Sequence, residues 1–267
     1  MIRLTRRELL ALMSVSVATI GVSGAGGVLY LLLNSGRRAA PEGTPPAPPA
    51  TPARPAQIKR IDRPPIVARA DWGAREPDHS APNETGFAAP ENTEGWLDYP
   101  GDLRDVYRTV VVHHSVLYEE DDVMTMREIQ AEHMDKRRWA DVGYHFGVGR
   151  SGAVFEGRSL RARGTHVAGY NTGSVGVVFF GNFQEQSPTP EQLEAGTRLI
   201  NWLALRLELT HLAGHAEFND WSECPGADMI YYLDSLAESA GMARGTGGYQ
   251  DPDDVLNGGV EESGESA

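Results

Sequence analysis

A chain of 267 residues with 24 basic and 37 acidic side chains carries a formal charge of −13 and is long enough for one catalytic-sized domain with appendages. Residues 1–60 hold eight of the basic and two of the acidic residues, so the remainder has 16 against 35; a surface this acidic repels phosphate backbones and argues against nucleic acid as a partner. The single cysteine, Cys224, cannot close an intrachain disulfide, so stability has to come from a packed core.

At the N-terminus Arg3, Arg6 and Arg7 precede an uncharged run from Leu9 to Leu33, the pattern of an export signal. The segment TRRELL resembles a twin-arginine signal. The run of 25 residues also exceeds the roughly 20 that span a bilayer, so residues 1–34 read either as a cleaved signal or as an anchor holding the cytoplasmic membrane through residues 9–33. Both readings put the protein outside the cytoplasm, in the cell envelope, anchored or secreted. Residues 35–66 contain nine prolines and form an extended spacer. Residues 67–244 are the expected folded unit, and the acidic, Gly-rich residues 245–267 read as a disordered tail.

Within 67–244, RTVVVHHSV (108–116) is a continuous β-branched run that suits a buried strand delivering two histidines at its end. A helix is expected over 125–139 from the spacing of Met126, Ile129, His133 and Met134. Residues 143–158 read as two short strands turning at Arg150, Ser151 and Gly152, and 174–183 as a second buried strand. Thr189, Pro190 and Gln192 open a helix with a capping-box arrangement, and Leu193, Ile200, Leu203 and Leu207 give it an apolar face. LAGH (212–215) reads as a short strand, and a helix starting at Ala227 closes the unit. The interleaving predicts an α/β domain with a mixed central sheet flanked by helices. Residues 76–105 are long for a connection and could border a binding groove, while Trp72 suits core packing.

Zinc prefers imidazole nitrogen and thiolate donors, and a catalytic zinc site keeps three protein ligands with one open position. His113 at a strand end, with His215 and Cys224 flanking a later loop, offers such a set. Spacing alone does not single it out among eight histidines, and Cys224 could equally be a thiol nucleophile with His215 as its base. The Gly-containing segments lack a phosphate-loop or dinucleotide pattern, so no nucleotide cofactor is implied. Nothing in the sequence indicates an oligomeric state.

DWGAR (71–75), VVVHHS (110–115), DVGYHFGVGRSG (141–152), GTHVAGYNTGSVGVVFFGNF (164–183) and a GH followed by CPG (214–226) occur in one order. Together they resemble the peptidoglycan recognition protein and type 2 N-acetylmuramoyl-L-alanine amidase family, over residues 67 to about 238. The resemblance implies a single domain of that type which binds peptidoglycan or muropeptides and, with zinc, hydrolyses the amide between N-acetylmuramic acid and L-alanine. It assigns His113, His215 and Cys224 to the metal and Tyr144 to catalysis, its hydroxyl orienting zinc-bound water or stabilising the tetrahedral oxyanion. Ser222 stands two residues before the cysteine, where the family has a Lys or Thr, and is the second catalytic expectation, with Glu223 as a competing base. His166 and Asn171 match positions near the substrate cleft, His166 with the alternative of stabilising a turn; His114 and His145 read as structural neighbours, and His79, His133 and His211 as core or surface residues. His215 and Cys224 are nine residues apart where many members have eight, an insertion that a bulged loop could absorb. The alternative is a non-catalytic peptidoglycan-binding module of the same fold; such members commonly lack the cysteine, so Cys224 argues for catalysis.

Overall fold

The computed structural model describes residues 61–81 and 96–250. The expected export segment, its Leu9–Leu33 run, most of the proline-rich spacer and residues 251–267 of the tail lie outside the described residues. Among the described residues, no helix is long and apolar enough to cross a membrane.

A six-stranded sheet forms the centre, with β1 (Thr109–His114), β2 (Phe146–Val148), β3 (Val154–Glu156), β4 (Ser174–Phe179), β5 (His211–Gly214) and β6 (Ala243–Arg244) in the order β3-β2-β4-β1-β5-β6. The β2–β3 hairpin is antiparallel, and the β2–β4, β4–β1, β1–β5 and β5–β6 pairs are parallel, so the sheet is mixed as expected. Every residue of β1 and of β4 is buried, which explains why both read as unbroken apolar runs rather than alternations.

Helices cover both faces. On one, Val110 and Val112 of β1 and Val175, Val177 and Phe179 of β4 pack against α4 (Pro190–Leu207) and α5 (Ala227–Ser239) through Leu199, Leu203 and Leu233. On the other, Val178 and Phe180 pack with Phe155, with Trp72 of α1 (Arg69–Trp72), and with Met126 and Ile129 of α3 (Asp122–Ala131). His113 pairs in register with Val178, so the period of two turns its ring onto this second face, away from Val112. Trp72 is fully buried and its Nε1–H donates to the Glu156 carbonyl at 2.8 Å, a core role.

The helix expected over 125–139 starts earlier and ends earlier as an α-helix. Asp121 caps its N-terminus by accepting from Met124 N at 2.7 Å, and after Ala131 the chain passes into a π-helical turn, Glu132–Lys136. That turn carries His133 inward, where Nδ1 accepts from Gly143 N at 2.9 Å. At α4, Thr189 Oγ1 accepts from Gln192 N at 3.1 Å with Pro190 at the first helical position. The reciprocal half of the capping box does not form, because buried Gln192 donates from Nε2 to Val148 O and Phe180 O at 2.9 and 3.0 Å and so satisfies strand-end carbonyls. Of the long 76–105 segment, residues 76–81 and 96–105 are described; Tyr99 is buried with its hydroxyl accepting from Gly173 N at 3.0 Å, and Leu103–Val106 forms the short α2. The packed chain runs past residue 244, with Tyr249 against Tyr170 and Phe218 at ring separations of 5.1 and 5.8 Å.

Candidate metal centre

The carboxyl ends of parallel strands meet where β1 runs between β4 and β5, the usual place for a site in an open α/β sheet. His113 is the fifth residue of β1, and His215 follows β5 directly, opening a 3₁₀ turn, His215–Glu217. Cys224 comes from a loop that folds back on that turn. Ala216 N donates to Cys224 O at 2.7 Å, and Cys224 N donates to Ser222 Oγ at 3.2 Å. The nine-residue spacing is thus taken up in the loop without separating the ends.

One donor atom from each of His113, His215 and Cys224 lies within 4.8 Å of the others. His113 Nδ1 is 3.5 Å from Cys224 Sγ. Tetrahedral geometry with a metal–nitrogen bond of about 2.05 Å and a metal–sulfur bond of about 2.3 Å spans about 3.6 Å between those two atoms, so this edge fits a zinc-type ion. The electrostatics also fit. Burial, with the neighbouring histidines, holds His113 well below the usual histidine range, and burial lowers His215 to about 4, so both rings are neutral lone-pair donors at neutral pH. Burial pushes the Cys224 thiol up to about 12, and the hydrogen bond from His114 N at 3.4 Å pulls in the other direction. An unmetallated Cys224 is therefore a protonated, poor nucleophile, whereas a cation in the pocket would favour its thiolate.

Tyr144 lies beside this group, its ring 5.0 Å from that of His113. Burial, together with the nearby Cys224, raises its phenol above the ordinary tyrosine value, so it stays a hydrogen-bond donor. Ser222 has its hydroxyl oxygen engaged by Cys224 N, a contact that shapes the loop. Glu223 beside it is exposed.

His166 and Asn171, expected near the substrate cleft, are both buried. Asn171 Oδ1 accepts from His166 N and Val167 N at 2.7 and 2.8 Å, so this atom fastens the turn that carries His166. His166 Nδ1 lies 3.0 Å from His113 Nε2, which puts the imidazole directly behind a proposed ligand. His114 and His145 face protein: His114 Nδ1 accepts from Phe183 N at 3.2 Å, and His145 Nδ1 accepts from Gly176 N at 3.0 Å. His133 is buried, His211 is half-buried on β5, and exposed His79 sits edge-on to Trp96. One residue the sequence reading did not single out is Trp221, 72% exposed with its ring 6.1 Å from His215. The only sequence signal for it is a large aromatic side chain flanked by Asp220 and Ser222 in the loop between two candidate ligands.

The family model described as N-acetylmuramoyl-L-alanine amidase matches residues 103–227, which include all three donors. Peptidoglycan-recognition protein LB of Drosophila melanogaster is 32% identical over 64% of this chain and 68% of its own length. The chain belongs to the peptidoglycan recognition protein and type 2 amidase family. Other members are similar to it: peptidoglycan-recognition protein SD of Drosophila melanogaster is 33% identical over 63% of this chain and 83% of its own. Among solved family structures, wild-type Drosophila PGRP-LB covers 64% of this chain and 93% of its own at 30% identity and a TM-score of 0.51. A point mutant of Drosophila PGRP-LB in complex with tracheal cytotoxin covers the same shares at 29% identity and a TM-score of 0.51. The family's mixed sheet with flanking helices is the architecture seen here.

Proposed function

We propose that this chain is a zinc-dependent N-acetylmuramoyl-L-alanine amidase, hydrolysing the amide between the lactyl group of N-acetylmuramic acid and the L-alanine of the stem peptide. The observation that carries the reading is the meeting of two neutral imidazoles and one thiol, with their donor atoms within 4.8 Å, in a member of an amidase family. A point mutant of Drosophila PGRP-LB, similar to this chain, is solved in complex with tracheal cytotoxin, a monomeric diaminopimelic acid-type peptidoglycan, which supports a muropeptide as the substrate.

His113, His215 and Cys224 would hold the metal. Bound there, zinc supplies Lewis acidity toward a carbonyl oxygen and lowers the pKa of water in its coordination sphere to about 7. The protonated Tyr144 phenol donates to the carbonyl oxygen as negative charge develops on it. Water adds to the carbonyl carbon, the carbon–nitrogen bond breaks, and the proton lost by water goes to the departing alanine nitrogen. The products are the lactyl carboxylate and a stem peptide with a free amino terminus. Ser222 keeps the Cys224 loop in shape by accepting from Cys224 N, while Trp221 offers an exposed ring to the substrate. The reading takes residues 1–34 as the export signal or anchor, 35–66 as a spacer and 67–244 as the working domain, acting in the cell envelope.

The test is incubation of the full chain with purified muropeptides, followed by mass analysis. Release of stem peptides bearing an N-terminal alanine, lost with a chelator, restored by zinc and absent for Cys224→Ser, is the expected result. Binding without release in the zinc-loaded protein would make it a recognition module. Activity that survives the chelator but dies with an alkylating agent would make Cys224 a nucleophile instead.

A further inference from the structure

We infer that His166 is a positioning residue that transmits a backbone hydrogen bond through two imidazoles and thereby fixes the tautomer of His113 in which Nδ1, the nitrogen toward Cys224, keeps its lone pair for the metal. The inference rests on the metal-centre reading above and extends it to a residue behind the three donors.

The chain of contacts starts at the Ser174 carbonyl, an obligate acceptor, 3.3 Å from His166 Nε2. Only a protonated Nε2 can satisfy that carbonyl. A neutral imidazole carries one N–H, so His166 Nδ1 is then a lone pair. That lone pair faces His113 Nε2 at 3.0 Å, and two lone pairs at this distance repel, so His113 Nε2 must carry the proton and donate. His113 Nδ1 is left with its lone pair, and it is the nitrogen 3.5 Å from Cys224 Sγ. The opposite tautomer of His113 would require His166 to give up its bond to Ser174 and leave a buried carbonyl facing a lone pair. Both rings are buried, and that of His166 is closely packed. The ring of His166 lies between two glycines: a Cβ at Gly164 would come within 2.5 Å of its Cδ2, and one at Gly176 within 2.6 Å of the same atom. Its backbone N–H is held by Asn171 Oδ1.

A residue that merely filled space behind His113 would not choose between tautomers. The readouts are therefore the tautomers themselves and the affinity for zinc. In the zinc-free full chain at neutral pH, long-range ¹⁵N–¹H correlation spectra should give His113 and His166 each as the Nε2–H form. Zinc affinity, measured by competition with a chromogenic chelator, should fall about 10- to 100-fold in His166→Phe, which keeps a ring of similar size but has no acceptor for His113. His166→Gln, which can both accept and donate, should recover part of the loss. An Nδ1–H form of His113 in the wild-type chain would overturn the relay, as would a His166→Phe chain that folds and binds zinc within twofold of wild type. Wild-type tautomers as stated with no zinc binding would leave the relay standing and sink the metal-centre reading.

Discussion

His133 gives the sharpest test of how burial sets the chemistry of this domain. It lies on the π-helical turn, 7% exposed, between Trp139 and Tyr144, with Nδ1 accepting from Gly143 N at 2.9 Å. Burial first, then the positive charges of Arg137 and Arg158, lowers it to about 3 against the usual 6.5. Below pH 6.5 the unfolded chain therefore takes up a proton that the folded chain refuses until about pH 3. Stability contributed by keeping this ring neutral is fully present above 6.5 and is lost as pH falls, with a slope of about 1.4 kcal/mol per pH unit. Between pH 7 and pH 5 the loss from this one residue integrates to about 2 kcal/mol, a sizeable part of the roughly 5–15 kcal/mol typical of a domain. His145 is lowered to about 3 by burial and acts in the same direction, so the whole acid limb should be steep. The perturbation is His133→Asn, whose Oδ1 can take the place of Nδ1 as acceptor for Gly143 N without titrating. Urea unfolding of wild type and variant at pH 7 and pH 5, both with chelator present, gives the pH-dependent part of the stability of each. The variant should lose about 2 kcal/mol less than wild type over that interval. Equal losses would refute the argument, whatever the absolute stabilities.

Tyr144→Phe should leave zinc content unchanged and lower kcat by about 10²- to 10³-fold with little change in KM, since the phenol acts only as charge develops on the carbonyl oxygen. A kcat within threefold of wild type would remove Tyr144 from the mechanism. Trp221→Ala should weaken muropeptide binding about tenfold, measured calorimetrically on the zinc-loaded protein, through loss of an exposed ring worth about 1–1.5 kcal/mol. Unchanged binding would show that this ring points away from the substrate.

The parts of the fold legible in the sequence are those where local pattern and burial agree. The run around β1 could be read because the strand is buried on both faces, and α4 because its cap, its N1 proline and its apolar stripe all point to one helix. The elements α1, α2 and β6 have four, four and two residues, and no periodic signal fits in so short a length. They are set by distant partners: Trp72 by the Glu156 carbonyl, and Arg244 by the Leu212 carbonyl and Glu217. The site divides in the same way. His113, His215, Cys224 and Tyr144 could be named because they sit in ordered motifs, but their meeting depends on β1 and β5 lying side by side across about a hundred residues of chain. The place of His166 could not be read, because its contact with His113 spans 53 residues and depends on ring orientation. Asn171 matches a cleft position in the sequence, and its side-chain oxygen serves the turn that carries His166, a use that shows only once the turn is folded. Trp221 lies between the GH and CPG pieces rather than in either, and its nearness to His215 comes from the path of the loop.

The most direct measurement is X-ray absorption at the zinc edge on the zinc-loaded full chain. Two imidazoles and one thiolate predict a four-coordinate first shell with a single sulfur at about 2.3 Å and nitrogen or oxygen neighbours at about 2.0–2.1 Å, and the sulfur contribution should vanish in Cys224→Ser. A zinc-loaded wild-type protein whose spectrum contains no sulfur neighbour would contradict the assignment of Cys224, and with it the metal centre on which the proposed activity depends.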